Sequence, residues 1–180
     1  MVSRRLLGIT ATILLTAASI CYIACNVQSS WGTWQYSVLH LSVGLWQGCL
    51  NRDCTMLNNH TFFRIFIDWR LHTARALMAL VCISTPCAVG CLIFVVVKDR
   101  FEPRFLSISK NLSVLSFVLG LIGMAIGIRF FTSGTQLTLS GTNIEMGGAS
   151  LTMGEAARNS IIGVGLNFVG ALIACVIQPK

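Results

Sequence analysis

The sequence predicts a membrane protein of the all-α class, a bundle of four transmembrane helices that carries a small extracellular β-sheet. Three observations support this prediction: an apolar composition, four long hydrophobic segments, and alternating patterns in the loops between them. Hydrophobic residues make up 54% of the 180 residues and charged residues 11%, and the mean hydropathy is +0.76. Soluble domains contain about 25% charged residues. The composition therefore indicates a membrane protein, organised as one domain over residues 1–180.

Four segments are long and apolar enough to cross a bilayer, which takes a helix of about 20 residues. Each segment must be helical there, because a helix satisfies its own backbone hydrogen bonds without water. The predicted spans are residues 6–25, 76–97, 112–131 and 161–177. Between them lie loop one at 26–75, a short charged loop at 98–111 and loop two at 132–160.

Basic residues determine the predicted orientation. If the spans alternate, seven Lys and Arg residues lie on one side, and four of them are in the short loop 98–111. The positive-inside rule makes that side cytoplasmic, so we expect both termini inside and loops one and two outside a plasma membrane. One alternative stays open. Arg4-Arg5, an apolar run and the small residues 17–19 also fit a cleaved signal peptide, although the run is longer than usual.

The loops contain strand patterns. Residues 39–46 alternate between apolar and polar or small side chains, which is typical of a half-buried β-strand. Residues 63–70 alternate as well and predict a second strand or a short interfacial helix. In loop two, residues 136–140 repeat the pattern, and nearby glycines divide the loop into strand-and-turn units. We therefore expect a small antiparallel sheet assembled from both loops.

Cys49 and Cys54 are the only cysteines in the predicted extracellular loops. An oxidising compartment favours a disulfide between them. A zinc site is the alternative, but no further ligands stand at zinc-ligand spacing. Two other cysteines, Cys91 and Cys175, lie toward the cytoplasmic ends of their spans and are candidates for palmitoylation. Asn59 begins an Asn-His-Thr sequon in loop one and is a candidate glycosylation site.

Several function classes find no support in the sequence. The three histidines are scattered through loop one, and no catalytic constellation, phosphate-binding loop or metal site is apparent. We expect no enzymatic activity and no cofactor. The net charge of +7 comes from residues that flank the spans and not from a basic patch interleaved with aromatics, so we expect no nucleic-acid partner.

Small and polar residues within the spans indicate how the helices pack. Gly120, Gly123 and Gly127 give the third helix a small-residue face, and Gly170 does the same for the fourth. Such faces allow close helix packing in lipid, inside the bundle in preference to a dimer interface. Asn167 is polar and is expected to face the bundle interior.

Loop one resembles that of the claudin superfamily. Trp34, then Gly44-Leu45-Trp46, then Cys49 and Cys54 reproduce the W…GLW…C…C pattern of claudins, in that order. The stretch ARALM around Arg75 is similar to the entry of many claudins into their second span. The resemblance covers the whole chain, because the four-span topology and the long first loop also agree.

This resemblance implies a left-handed four-helix bundle beneath a five-stranded sheet. Loop one would supply four strands and loop two the fifth. Trp46 and its Gly-Leu neighbours would anchor the sheet at the outer membrane surface. Cys49 and Cys54 would join adjacent strands, and Arg75 would lie where the sheet meets the bundle.

The sequence departs from typical claudins in three ways. Residues 176–180 lack the terminal hydrophobic motif that binds PDZ scaffolds, so no such partner is expected. The spacing between Cys49 and Cys54 is short and closer to the lens-fibre and epithelial membrane protein branch. Loop two is long and rich in Gly, Ser and Thr. These features indicate a divergent member, either an invertebrate claudin or one of that branch.

The resemblance implies two main functions. In the first, the protein acts at cell–cell contacts and forms or regulates a paracellular barrier or adhesion, with itself or other claudin-like proteins in cis and in trans as partners. In the second, it is an auxiliary subunit of an ion channel or receptor in its own membrane. The short predicted cytoplasmic tail disfavours the second, and a glycan at Asn59 would disfavour tight strand packing. A myelin- or lens-type organising role is a third possibility.

Overall fold

The computed structural model describes eight segments of the chain: residues 4–36, 39–51, 53–58, 68–97, 103–133, 136–139, 142–145 and 150–177. These segments contain four helices and seven strands. The helices are α1 (Arg4–Val27), α2 (Trp69–Val97), α3 (Pro103–Ser133) and α4 (Glu155–Val176). All four are long and apolar enough to cross a membrane. The protein is therefore a multi-pass membrane protein, as its composition predicts.

Three helices begin well before the predicted spans. α2 begins at Trp69 and not at residue 76, α3 begins at Pro103 and not at residue 112, and α4 begins at Glu155 and not at residue 161. The predicted limits followed the apolar residues alone, whereas a helix continues through polar residues as long as its backbone is hydrogen-bonded. Proline is well suited to a first helical position, because its missing N–H would have no partner there. Arg75 consequently lies in a helix and not at the end of a loop.

The helices form a ring in which each packs on the preceding and following helix, and α4 closes the ring against α1. The glycines permit this close packing. A Cβ atom added to Gly120 would lie 2.7 Å from the Tyr22 hydroxyl, and one added to Gly170 would lie 2.9 Å from Leu15. The small-residue faces therefore pack inside the bundle, as predicted. Large apolar side chains such as Ile20 and Ile83 lie on the outer surface of the bundle, where they would contact lipid.

Asn167 is fully buried in the bundle, as predicted. Its Nδ2 donates to Ser116 Oγ at 2.9 Å and to Tyr22 Oη at 3.4 Å. These bonds connect α4 to α3 and to α1. In an apolar surrounding, such a polar contact helps to select one arrangement of the helices.

One sheet has five antiparallel strands in the order β4-β3-β2-β1-β7. Four of them lie between α1 and α2 and the fifth lies between α3 and α4, the division that the resemblance implies. Of the alternating segment 39–46, residues 39–43 form β2 as predicted, whereas residues 44–46 lie beyond the end of the strand. The strands are β1 (Gly32–Tyr36), β2 (Leu39–Val43), β3 (Gln47–Leu50), β4 (Asp53–Met56) and β7 (Ser150–Met153).

Two other predicted strands have different outcomes. The alternating segment from residue 136 is a strand, β5 (Gln136–Leu139), but it pairs with β6 (Thr142–Glu145) in a separate ribbon. Residues 63–67 of the other pattern lie outside the described residues. Its last two residues, 69 and 70, begin α2. The Asp68 carboxylate accepts the Trp69 N–H at 2.6 Å, which stabilises the start of the helix.

Candidate functional site

The β3–β4 hairpin is closed by a disulfide between Cys49 and Cys54, as the sequence predicts. The two cysteines are direct partners in the antiparallel register. Because both sulfurs are used, neither is left as a thiolate for the zinc alternative. Ser29, which follows α1, donates a hydrogen bond from its hydroxyl to Cys49 Sγ at 3.2 Å. The hairpin is thereby connected to the end of the first helix.

Asn51 forms part of the hairpin turn and has a φ of 56°. Asparagine adopts this left-handed conformation more readily than most residues. Its backbone N–H donates to the His40 carbonyl at 2.6 Å, and its side-chain Oδ1 accepts the His40 N–H at 2.9 Å. These two bonds hold the turn against β2, so β2, β3 and β4 form one connected unit.

The Gly44-Leu45-Trp46 segment connects β2 to β3 and passes close to the end of α1. The position of Gly44 leaves no space for a side chain, because a Cβ atom would lie 2.5 Å from the Gln28 carbonyl oxygen and 2.7 Å from Ser29 Cα. The Gly44 N–H donates to Gln47 O at 2.8 Å. Leu45 is fully buried. Only glycine allows the sheet to approach the helix this closely.

Arg75 of α2 is the charged residue of this region, and it is only 6% exposed. Its Nε donates to the Leu45 carbonyl at 2.6 Å, and its guanidinium carbon lies 5.1 Å from the centre of the Trp46 ring. Trp46 in turn donates its Nε1–H to Asn26 Oδ1 of α1 at 2.6 Å. Arg75, Trp46 and Asn26 therefore link α2, the sheet and α1. We call this three-residue contact the joint.

The joint places the buried charge in a favourable setting. Burial of a guanidinium group costs free energy unless its N–H donors are hydrogen-bonded and its positive charge is compensated. Here a carbonyl oxygen takes one donor, and the negative face of an indole ring attracts the cation. Trp46 remains 41% exposed at the end of the bundle, the position that interfacial tryptophans occupy in membrane proteins.

Trp31 forms a second link that sequence reasoning missed. Its side chain is buried, and its Nε1 donates to the Cys25 carbonyl at 2.9 Å. A Cβ atom at Gly127 would lie 2.6 Å from the Trp31 ring, so that glycine leaves space for the indole against α3. The sequence contained one signal, the small residue Gly127 in an apolar helix. Nothing near it in the sequence indicated which side chain would occupy the space beside this glycine.

The start of α4 is attached to the same region. The Trp31 carbonyl accepts the Gly154 N–H at 3.1 Å, and the Ser30 carbonyl accepts the Ala156 N–H at 3.1 Å. The first N–H groups of a helix have no partner within it, and here the segment after α1 supplies two. Asn159 Nδ2 also donates to Gln28 Oε1 at 3.0 Å. All four helices thus reach the sheet region, α3 through Gly127.

The other predicted site residues lie apart from the joint. Trp34 lies in the central strand β1, where its backbone is paired with Leu41 and Leu151. Cys175 is exposed and Cys91 is half-buried, and both lie in the halves of their helices away from the sheet. Asn59 lies outside the described residues.

Neither a protein-family model nor a curated protein matches this chain. The resemblance in loop one therefore depends on its own residues. Among them, Gly44, Leu45, Trp46 and Arg75 meet at the contact between sheet and bundle, and Cys49 and Cys54 close the adjoining hairpin.

Proposed function

We propose that this protein is a divergent claudin-like membrane protein that acts at cell–cell contacts, where it forms or regulates a paracellular barrier or adhesion. One observation carries the proposal: a disulfide-closed five-stranded sheet is held on a four-helix membrane bundle through Arg75, Trp46 and Asn26. In the proposed topology the bundle is left-handed, both termini are cytoplasmic, and the sheet faces the outside of the cell.

The attachment of the sheet supports a role in binding. A surface that is rigid before it binds loses less conformational entropy on association. The sheet is joined to the helices by hydrogen bonds at Arg75, Trp31 and Gly154. It is therefore well suited to present one constant surface to another membrane.

The edges of the sheet offer a means of association. Among the described strands, β4 and β7 each pair on one side only. An edge strand can accept a further strand through its backbone groups. Lateral association of neighbouring copies in one membrane would use these edges, while the β3–β4 turn at the exposed Asn51 would meet copies in the opposite membrane.

Imaging in cells tests this proposal. The tagged protein is expressed in cells that lack claudins, and these cells are mixed with untagged cells that do not express it. We expect enrichment at contacts between two expressing cells and none at contacts with non-expressing neighbours. Arg75→Ala is the variant that loosens the joint, and Arg158→Ala, an exposed arginine of α4, is its matched control. Uniform surface distribution of the wild-type protein would contradict the cell-contact proposal.

A specific observation also favours the auxiliary-subunit function. Gly90 and Gly165 lie on exposed faces of α2 and α4, and no described atom outside their own helices lies within 4 Å of an added Cβ atom. An outward glycine lets a second transmembrane helix approach closely. If this function is correct, Gly90→Leu and Gly165→Leu will lower co-purification of a channel or receptor. The Ile20→Ala variant, at an outward position of α1, will leave it unchanged.

A further inference from the structure

A groove opens between the sheet-side ends of α2 and α3. It has a volume of about 250 Å³ and is lined by Trp69, Arg70, Ile126 and Arg129. Two of these residues begin α2, and the other two lie in the last turns of α3. We call it the arginine groove. It is separate from the joint, because it shares no residue with Arg75, Trp46 or Asn26.

We propose that the arginine groove binds the phosphodiester headgroup of a glycerophospholipid in the leaflet on the sheet side of the membrane. Among the described residues, the lining of the groove consists of two guanidinium groups, one isoleucine and one indole. Arginine carries five N–H donors in a planar fork that fits phosphate oxygens. A basic groove between transmembrane helices is the general setting in which headgroups are bound.

The local ion pair leaves donors for this role. Arg70 Nε lies 3.9 Å from Asp68 Oδ2, and both side chains are about half exposed, at 46% each. One long contact at Nε leaves the other donors of the fork to a ligand. Arg129 brings a second guanidinium group to the groove. The groove therefore contains two planar donor groups of the kind that suits a phosphodiester.

The order of residues along the groove matches the order of groups in a lipid. Ile126 lies about one turn deeper in α3 than Arg129. Ile122 is a further turn down the same face and is 44% exposed. Trp69, 66% exposed at the first position of α2, has the amphipathic ring that settles at headgroup level. A phosphate at the arginines would thus place its acyl chains on apolar helix surface.

The inference does not depend on the cell-contact proposal, because it requires only that α2 and α3 cross a membrane. A lipid fits this site better than a soluble phosphate does, because the outward apolar surface next to the arginines would be covered by acyl chains and would stay uncovered by a soluble phosphate. Free phosphate compounds therefore serve as a competing source in the test.

Native mass spectrometry of the full-length protein in detergent provides the test. Dioleoyl phosphatidylcholine is titrated against wild-type protein, and dioleoylglycerol, which has the same acyl chains without the phosphate, is titrated in parallel. We expect wild-type protein to retain the phospholipid in preference to dioleoylglycerol. The variant Arg70→Gln/Arg129→Gln should bind the phospholipid about tenfold more weakly, through the loss of charge-assisted hydrogen bonds. Arg158→Gln, the matched control, should bind as the wild type does.

Other results would overturn the proposal. Equal retention of the phospholipid by the double variant would show that the arginines do not hold it. Equal retention of dioleoylglycerol would show that the phosphate is not recognised. Full competition by glycerophosphocholine would identify a soluble phosphate site. The intact disulfide and a monodisperse elution check the fold of the variants. If the double variant fails to fold, Arg129→Gln alone, which keeps the Asp68–Arg70 pair, must weaken binding in the same direction.

Discussion

At the scale of single residues, Arg75 connects elements that are far apart in the chain. Its partner Leu45 is 30 residues away, and its ring contact Trp46 carries the connection onward to Asn26. A buried carbonyl that loses its donor costs about 1–3 kcal/mol. The cation–π contact, in which Trp46 is partly exposed, contributes about 1 kcal/mol more. Arg75 therefore stabilises the attachment of the sheet to the bundle.

We predict that Arg75→Ala lowers the free energy of unfolding by about 2–4 kcal/mol. Arg75→Lys should recover only part of this loss, because an ammonium keeps the charge but not the planar guanidinium or the Nε–H. Denaturant unfolding in detergent, followed by tryptophan fluorescence, measures both. The exposed control Arg158→Ala should change stability by less than about 0.5 kcal/mol. Equal effects of the two alanine variants would contradict the role given to Arg75.

Two glycines provide a matched contrast. Gly44→Ala should destabilise the protein by about 1–3 kcal/mol, because the new Cβ atom would press on backbone atoms of Gln28 and Ser29. Gly90→Ala should instead stabilise α2 by up to about 1 kcal/mol, because alanine is the better helix former and the described residues leave space for it. The same unfolding measurement checks both. The changes in the free energy of unfolding must have opposite signs in the two variants. A Gly44→Ala variant as stable as the wild type would be inconsistent with the close contact at this position.

At the scale of secondary structure elements, the β3–β4 hairpin depends on its disulfide. The cysteines are five residues apart in sequence. Closing so short a loop lowers the entropy of the unfolded chain, which stabilises the folded state by about 2 kcal/mol. We predict that the double variant Cys49→Ser/Cys54→Ser is destabilised by about this amount and reaches the cell surface poorly. Cys87→Ser, at an exposed position in α2, is the control. Surface expression and stability like those of the wild type would show that the hairpin does not need the bond.

The sequence predicted the helices and β2 because their signals are local. A long apolar run or a period of two is visible without knowledge of what packs against it. The early start of α2 had a signal too, which the assignment of residues 69–75 to a loop overlooked. Leu71, Ala74, Arg75 and Met78 are all buried, and their spacing is that of one helix face.

The pairing of loop two was not predictable from local patterns. The alternation from residue 136 correctly predicts a strand, yet the strand that joins the main sheet is β7. Strand pairing depends on partners elsewhere in the fold. β7 pairs with β1, and the hydrogen bond from the Gly154 N–H to the Trp31 carbonyl holds the end of β7 beside the start of β1. Trp31 was missed for a similar reason, because its place against Gly127 depends on a residue far along the chain.

At the scale of the whole molecule, the proposed orientation makes a prediction for Asn59 and for Asn111, which begins a second sequon, Asn-Leu-Ser. Asn59 should carry a glycan because loop one faces outside, and Asn111 should not, because it lies in the half of α3 away from the sheet. Protein from cells should run faster on a gel after Asn59→Gln or after enzymatic removal of N-glycans. Asn111→Gln should leave its mobility unchanged. A glycan lost with Asn111 and not with Asn59 would invert the topology.

We propose that copies of this protein in two apposed membranes associate through their sheets. Purified protein in unilamellar phosphatidylcholine vesicles tests it directly, with clustering followed by light scattering and by energy transfer between two separately labelled vesicle populations. We predict clustering when both populations carry the protein, none when only one does, and a strong reduction with Arg75→Ala but not with Arg158→Ala. Failure of wild-type vesicles to cluster, or clustering with protein-free vesicles, would contradict the account.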